Sequence, residues 1–228
     1  MPIFRHQTGV MAMVPRREMQ SDGRQRTARE FVRDEWVFFR HWVEHPFQIG
    51  AISPSGPRLA EKMVAQINMS QCGRVIEIGA GTGAVTARII AQGVPNEALT
   101  VIEYSPDFCR LLSQKFSGVG VVNGDGYALR QTLRESNYFR GASENESVDA
   151  ILSCLPLLTR PEKDRLRLLE DAVYLLKDGA PFVQFSYGLR PPVSSGALPL
   201  EVSGSGWVLN NLPPARVWVY RKKRFGFK

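Results

Sequence analysis

An open, mostly parallel α/β sheet with helices on its faces is the fold class this sequence predicts, and three observations predict it. Val75 to Ile78 runs straight into Gly79, Gly81 and Gly83, and a helical pattern follows from Val85 to Gln92. That is a strand, a glycine turn and a helix, the first unit of such a sheet. Leu99 to Glu103 and Val119 to Val122 read as the next two strands, with a helical stretch between them. Each of these strands ends at or beside an acid: Glu77, Glu103 and Asp125. The length, 228 residues, suits one such domain of six or seven strands plus an extension.

In chain order, residues 1–25 lack periodicity and read as a flexible segment. From Arg26 to Glu44 the pattern turns helical: Phe31, Val32, Trp36, Phe39 and Val43 share one side, widened by Phe38 and Trp42. His45-Pro46 closes this helix. Its aromatic side suits packing on a sheet edge and also suits a membrane interface, where Trp and Phe with flanking Arg are at home. A Gly/Ser/Pro loop at 49–56 and a helix from Arg58 to Ile67 precede the first strand. The expected organisation is therefore a flexible segment 1–25, a helical membrane or substrate-cap region 26–68, and a ligand-binding domain 69–228.

Ser105-Pro106-Asp107 opens the helix after the second strand, with Ser as cap, Pro in the first position and Asp in the first turn. Tyr127 to Phe139 reads as a helix, Gly141 to Ser147 as a polar loop, and Val148 to Ser153 as the fourth strand. Pro161 to Leu176 is amphipathic, with Asp178-Gly179 as its stop. Ala180 to Tyr187 is the fifth or sixth strand, Gly188 to Gly206 a long loop, and Ala215 to Tyr220 a last, antiparallel strand at the sheet end.

The glycine spacing G-x-G-x-G differs from the dinucleotide fingerprint, and no Lys follows as in a phosphate-binding loop. A carboxylate two residues before the first glycine repels a pyrophosphate but suits an ammonium or ribose hydroxyls. The acid tipping the second strand, about 20 residues on, stands where a ribose diol is held. The net charge of +7 permits nucleic acid, an anionic membrane, or neither. Cys72, Cys109 and Cys154 are scattered, which suggests no zinc site or disulfide framework and a reduced compartment. No apolar run approaches the roughly 18 residues of a spanning helix, and no secretory signal is visible.

E-x-G-x-G-x-G at 77–83 resembles motif I of class I S-adenosylmethionine (SAM) methyltransferases. The phrases at 49–56, 75–86, 101–112, 154–158, 179–188 and 211–222 together resemble the bacterial phospholipid N-methyltransferases, in the branch similar to rRNA adenine dimethyltransferases. The resemblance spans about residues 31–224 and implies a Rossmann-like, seven-stranded sheet with its last strand antiparallel. It implies methylation of phosphatidylethanolamine toward phosphatidylcholine, with S-adenosylhomocysteine (SAH) as the other product. The implied cofactor set is Glu77, Gly79, Ala80, Gly81, Glu103, Tyr104, Gly124, Asp125, Gly126 and Ser153. Ser153, Leu155 and Tyr187 are the catalytic candidates, and no metal is expected. Trp36, Phe39, Trp42, Ser186, Tyr187 and Arg190 are the candidates for substrate and membrane contact. Tyr187 also fits a core-edge aromatic, and Arg190 a solvated one. The expected partners are a phospholipid and an anionic membrane surface rather than nucleic acid. The expected unit is a monomer, cytoplasmic and peripheral to the inner membrane.

One departure shapes the substrate reading. Amino methyltransferases carry Asn-Pro-Pro-Tyr or Asn-Leu-Pro-Tyr after the fourth strand; here the stretch is Ser153-Cys154-Leu155-Pro156-Leu157-Leu158. Ser153 or Cys154 replaces the Asn and Leu157 stands where the ring would stack, which disfavours a nucleobase, and an apolar rim of Leu155, Leu157 and Leu158 suits a substrate with acyl chains. An rRNA adenine N6-dimethyltransferase is the alternative.

Overall fold

The computed structural model describes residues 56–68, 73–139, 145, 147–194, 196, 198, 200–211 and 214–222. The aromatic helix at 26–44, with Trp36, Phe39 and Trp42, lies outside the described residues, as does the loop at 49–55. Seven strands form one sheet: β1 (Val75–Ile78), β2 (Leu99–Glu103), β3 (Gly120–Asn123), β4 (Ala150–Ser153), β5 (Phe182–Ser186), β6 (Leu200–Gly204) and β7 (Arg216–Lys222), in the order β3-β2-β1-β4-β5-β7-β6. β1 to β5 pair in parallel, and β7 runs antiparallel to both β5 and β6. The predicted fold class holds, including the antiparallel last strand.

Helices cover both faces. On one face lie α1 (Pro57–Val64), α2 (Ala84–Ala91) and α3 (Pro106–Lys115), which share a core of Leu59, Met63, Val85, Ile89 and Leu112 with the inward side chains of β1, β2, β5 and β7. On the other lie α4 (Leu129–Glu135) and α5 (Glu162–Leu175), whose Leu129, Leu133, Leu168 and Leu175 pack on Ile76, Ile78 and Ile151. Burying each such side chain contributes about 1.5–3 kcal/mol. Apolar runs rather than alternation mark β1 and β4, because both faces of these central strands are covered.

Four local expectations need correction. The stretch 188–206 is not a continuous loop, since Leu200–Gly204 forms β6. Among the described residues this strand pairs only with β7, and its alternation of Leu200 and Val202 with Glu201 and Ser203 is the weak signature of an edge. Ala215 to Tyr220 is not the sheet end, because β7 is inserted between β5 and β6. Tyr127 to Phe139 is not one helix: a 3-10 turn over Gly126–Ala128 precedes α4, and Asn137 at φ 56° closes the segment. α5 ends before its predicted stop, because Leu176 is already extended and bridges Val148.

Candidate active site

The strand tips are stitched to one another at the carboxyl edge of the sheet. Gly79 N–H donates to the Ile102 carbonyl (2.8 Å), Cys154 N–H to the Ile78 carbonyl (2.8 Å), and Gly124 N–H to the Glu103 carbonyl (3.0 Å). Gly79, Gly81 and Gly83 all take positive φ, at 74°, 55° and 82°. Only glycine accepts this repeatedly, so the turn after β1 opens a cradle of backbone that side chains would close. A Cβ on Gly79 would come within 2.9 Å of Leu155 Cδ2, and one on Gly126 within 2.3 Å of Ile78 Cγ2.

The three acids are placed differently. Glu77 is buried, and one oxygen accepts from the Thr86 hydroxyl at 2.6 Å, in the first turn of α2. Its other oxygen, Oε1, has no partner among the described residues. Burial dominates its titration and pushes the carboxyl up to about 7, against the lowering effect of the Thr86 hydroxyl and N–H. Glu103 accepts from Gly81 N–H through Oε2 and from Ser105 N–H through Oε1, each at 2.9 Å. It is thus fixed at the β2 tip, with further lone pairs on each oxygen. Asp125 is exposed and caps the 3-10 turn by accepting from Tyr127 N–H at 2.9 Å. Tyr104 stands beside Glu103 with its ring 77% exposed, and Ala80 is buried within the glycine turn.

After β4 the chain turns inward and outward by residue. Ser153 is fully buried, and its hydroxyl accepts from Leu155 N–H at 3.4 Å. Leu155 and Leu158 are partly exposed, whereas Leu157, at the place of the stacking ring, is buried among the residues of α4 and α5. The apolar rim is therefore Leu155 and Leu158 alone. The Leu155 carbonyl accepts twice, from Leu157 N–H and from Gln184 Nε2, both at 2.9 Å. Arg160 lies over the Tyr127 ring at 4.6 Å and joins the turns that follow β3 and β4.

Tyr187 and Leu155 approach this edge from opposite layers of the molecule. Tyr187 packs with Phe185, ring to edge at 5.6 Å, on the α1 face, and Leu155 packs on the α4 face. Ser186 is buried, with its hydroxyl accepting from Gly188 N–H at 3.0 Å, and Arg190 is exposed. Two residues at this edge escape a sequence reading. Asn123 donates through Nδ2 to the carbonyls of Glu103 (3.0 Å) and Tyr104 (2.9 Å), tying β3 to β2. Gln184 is the other; the only hint was a polar residue inside the apolar run of β5.

The donor set suits a cationic, hydroxyl-bearing ligand. On Glu77, two residues before the glycine turn, one buried carboxylate oxygen has no partner among the described residues; a fixed carboxylate stands at the β2 tip, and an exposed one follows β3. Among the described residues, no group of three or more His, Cys, Asp or Glu side chains is placed to hold a metal ion.

Comparison with known proteins agrees with this geometry. Residues 76–182 match a family described as a methyltransferase domain. Over 148 residues the chain is 31% identical to an ornithine lipid N-methyltransferase from Singulisphaera acidiphila, covering 62% of this chain and 73% of that protein. Over 84 residues it is 36% identical to ribosomal RNA small subunit methyltransferase A of a Synechococcus strain, covering 35% of this chain and 26% of that one. An O-methyltransferase from Bacillus cereus, solved in complex with SAH, shares the fold at a TM-score of 0.57 and 12% identity, over 85% of this chain and 91% of that one.

Proposed function

We propose that this chain, which belongs to the class I SAM-dependent methyltransferases, methylates the headgroup amine of a membrane lipid, with phosphatidylethanolamine as acceptor. The observation that carries this reading is the 31% identity to an ornithine lipid N-methyltransferase across 73% of that protein. Both lipids present a primary amine on a diacyl body, so one apolar, amine-accepting mouth serves either. The Leu155 and Leu158 rim supports it. The match to a ribosomal RNA methyltransferase favours a second reading, adenine N6 methylation. Against it stand Ser153 or Cys154 in the place of the motif's Asn and the buried Leu157 in the place of its stacking ring.

SAM, the cofactor of this family, supplies an electrophilic methyl group when bound. In our reading Glu77 Oε1 receives its ammonium at the cradle of Gly79, Ala80 and Gly81. Glu103 holds the ribose hydroxyls, and Tyr104 with Gly124, Asp125 and Gly126 lines the base. The backbone from Ser153 to Leu155 positions the acceptor nitrogen, which is the main catalytic contribution of such a site. That nitrogen must first lose a proton. The Ser153 hydroxyl is buried and the Leu155 carbonyl already holds two donors, so we assign no protein base and the proton leaves to water. Tyr187 offers a ring face to the methylated cation, worth roughly 0.5–2 kcal/mol. Ser186 and Arg190 attend the lipid phosphate. The aromatic helix at 26–44 belongs to this reading as a membrane anchor.

The test is transfer of radiolabelled methyl from SAM to vesicles of phosphatidylethanolamine, its mono- and dimethyl forms, or ornithine lipid, resolved by thin-layer chromatography. Label in the phosphatidylethanolamine series is the expected result, and label in ornithine lipid alone moves the acceptor. Label in unmodified small-subunit rRNA and in no lipid establishes the second reading instead.

A further inference from the structure

Three large apolar side chains stand exposed at the carboxyl edge of the sheet, outside the site described above. Leu189, just after β5, is 80% exposed; Leu209 and Trp207, in the turn joining β6 to β7, are 72% and 37% exposed. The two segments share an edge because β7 begins where β5 ends, with Arg216 opposite Ser186. Single exposed leucines are ordinary, but a Trp and two Leu gathered at one edge are not.

In the β6–β7 turn Val208 and Asn211 are buried, whereas Trp207 and Leu209 are exposed. Val208, between Trp207 and Leu209, is buried and pairs with Ala215, its N–H donating to the Ala215 carbonyl at 2.7 Å. Arg216 Nε donates to the Ser205 carbonyl at 2.6 Å. The Asn211 side chain accepts from Gly56 N–H at 3.0 Å and so ties the turn to the start of α1. With Val208 turned in, its two neighbours are turned out.

The charge around these residues is positive. Arg190 follows Leu189 and is exposed, as is Arg58 in the first turn of α1. Lys62 Nζ lies 3.8 Å from where a Cβ on Gly206 would stand. Of the nearby acids, Glu61 is held by Arg88 at 2.7 Å, and Glu201 sits at the far end of β6. The surface is also continuous with the acceptor mouth, since a Cβ on Gly188 would touch Leu158 Cδ1 at 2.9 Å.

We propose that the β6–β7 turn with Trp207 and Leu209, together with Leu189, is a membrane-contacting surface whose occupant is an anionic bilayer. Apolar side chains enter the interface while Arg58, Lys62 and Arg190 meet the headgroups. This surface sets the strand tips facing the lipid, independently of the helix at 26–44. The inference rests on the lipid reading of the acceptor.

The experiment uses the full chain and a Trp207→Ala, Leu209→Ser double variant, with vesicles of phosphatidylethanolamine and phosphatidylglycerol. The expected result is vesicle partitioning weaker by about tenfold, as losing the burial of one large apolar side chain would give. SAM binding by calorimetry and the thermal midpoint stay unchanged. Undiminished partitioning overturns the proposal. So does a fall in SAM binding or thermal midpoint, which makes the turn a packing element for another part of this chain. Methyl transfer to lipid dispersed in detergent is assayed in parallel. If partitioning falls in the variant while neither protein methylates any lipid amine, the docking surface stands and the acceptor reading fails.

Discussion

A carboxyl group with almost no exposed surface ionises against its surroundings, and Glu77 is such a group. Its pKa is pushed up to about 7 from an ordinary 4.5, chiefly by burial. The sign of the consequence follows from proton binding. Between those two pH values the folded chain keeps a proton that the unfolded chain has lost. Stability is therefore highest below pH 4.5 as far as Glu77 is concerned, and falls as pH rises toward 7, by up to about 1.4 kcal/mol per pH unit. Glu77→Gln keeps the shape and cannot ionise. Chemical denaturation of the SAM-free protein across this window should show a steeper decline for the native chain than for the variant. Parallel declines would mean that Glu77 is not held in its neutral form, and that the orphan Oε1 has a partner in solution.

At the scale of elements, the glycine turn after β1 and the acids tipping β1 and β2 were legible because their chemistry is local: spacing and side-chain type lie within a dozen residues. What the turn after β4 does was not legible. Leu157 and Leu158 are identical in sequence, yet one is buried against α5 and the other faces out, and only the packed layers decide between them. Gln184 was hidden for the same reason, since one of its partners, the Leu155 carbonyl, lies in the turn after β4, far from it in sequence. β6 was missed because an edge strand paired on one side needs no apolar run. The sequence reading did not find Gln184, yet it makes a sharp prediction. Its Oε1 is buried without a partner among the described residues, which costs about 1–3 kcal/mol, so Gln184→Leu should leave the thermal midpoint unchanged or raise it. The Leu155 carbonyl would keep Leu157 N–H but lose its second anchor. As a positioning residue, Gln184 should then show its loss in kcat, lowered on the order of ten- to a hundredfold, with SAM affinity unmoved. A variant with native kcat would reduce Gln184 to packing.

On the scale of the whole molecule, the sheet has two ends with different duties. The carboxyl end gathers the glycine cradle, the acids, the apolar rim and the exposed turn of Trp207 and Leu209. Parts of it come from residues far apart in the chain, as in the contact of Gly56 with Asn211, which no local pattern announces. Among the described residues no helix is long and apolar enough to cross a membrane. At the amino end, Asp149 collects three chain segments before β4 begins. Its Oδ2 accepts from the N–H groups of Gly73 (3.0 Å) and Arg74 (2.8 Å), and its Oδ1 meets Lys177 Nζ at 2.7 Å. The carboxylate is nearly buried, so these bonds are less screened than a surface pair. Asp149→Asn sets an amide NH2 where only acceptors fit, facing either two backbone N–H groups or an ammonium. The expected loss is about 1–3 kcal/mol of stability, read as a lower midpoint in thermal unfolding. Below the unfolding transition kcat/KM should stay native, because the residue lies at the opposite end of the strands from the proposed site. A variant that keeps its midpoint but loses turnover would break that division, and would place the amino end of the sheet within reach of the chemistry.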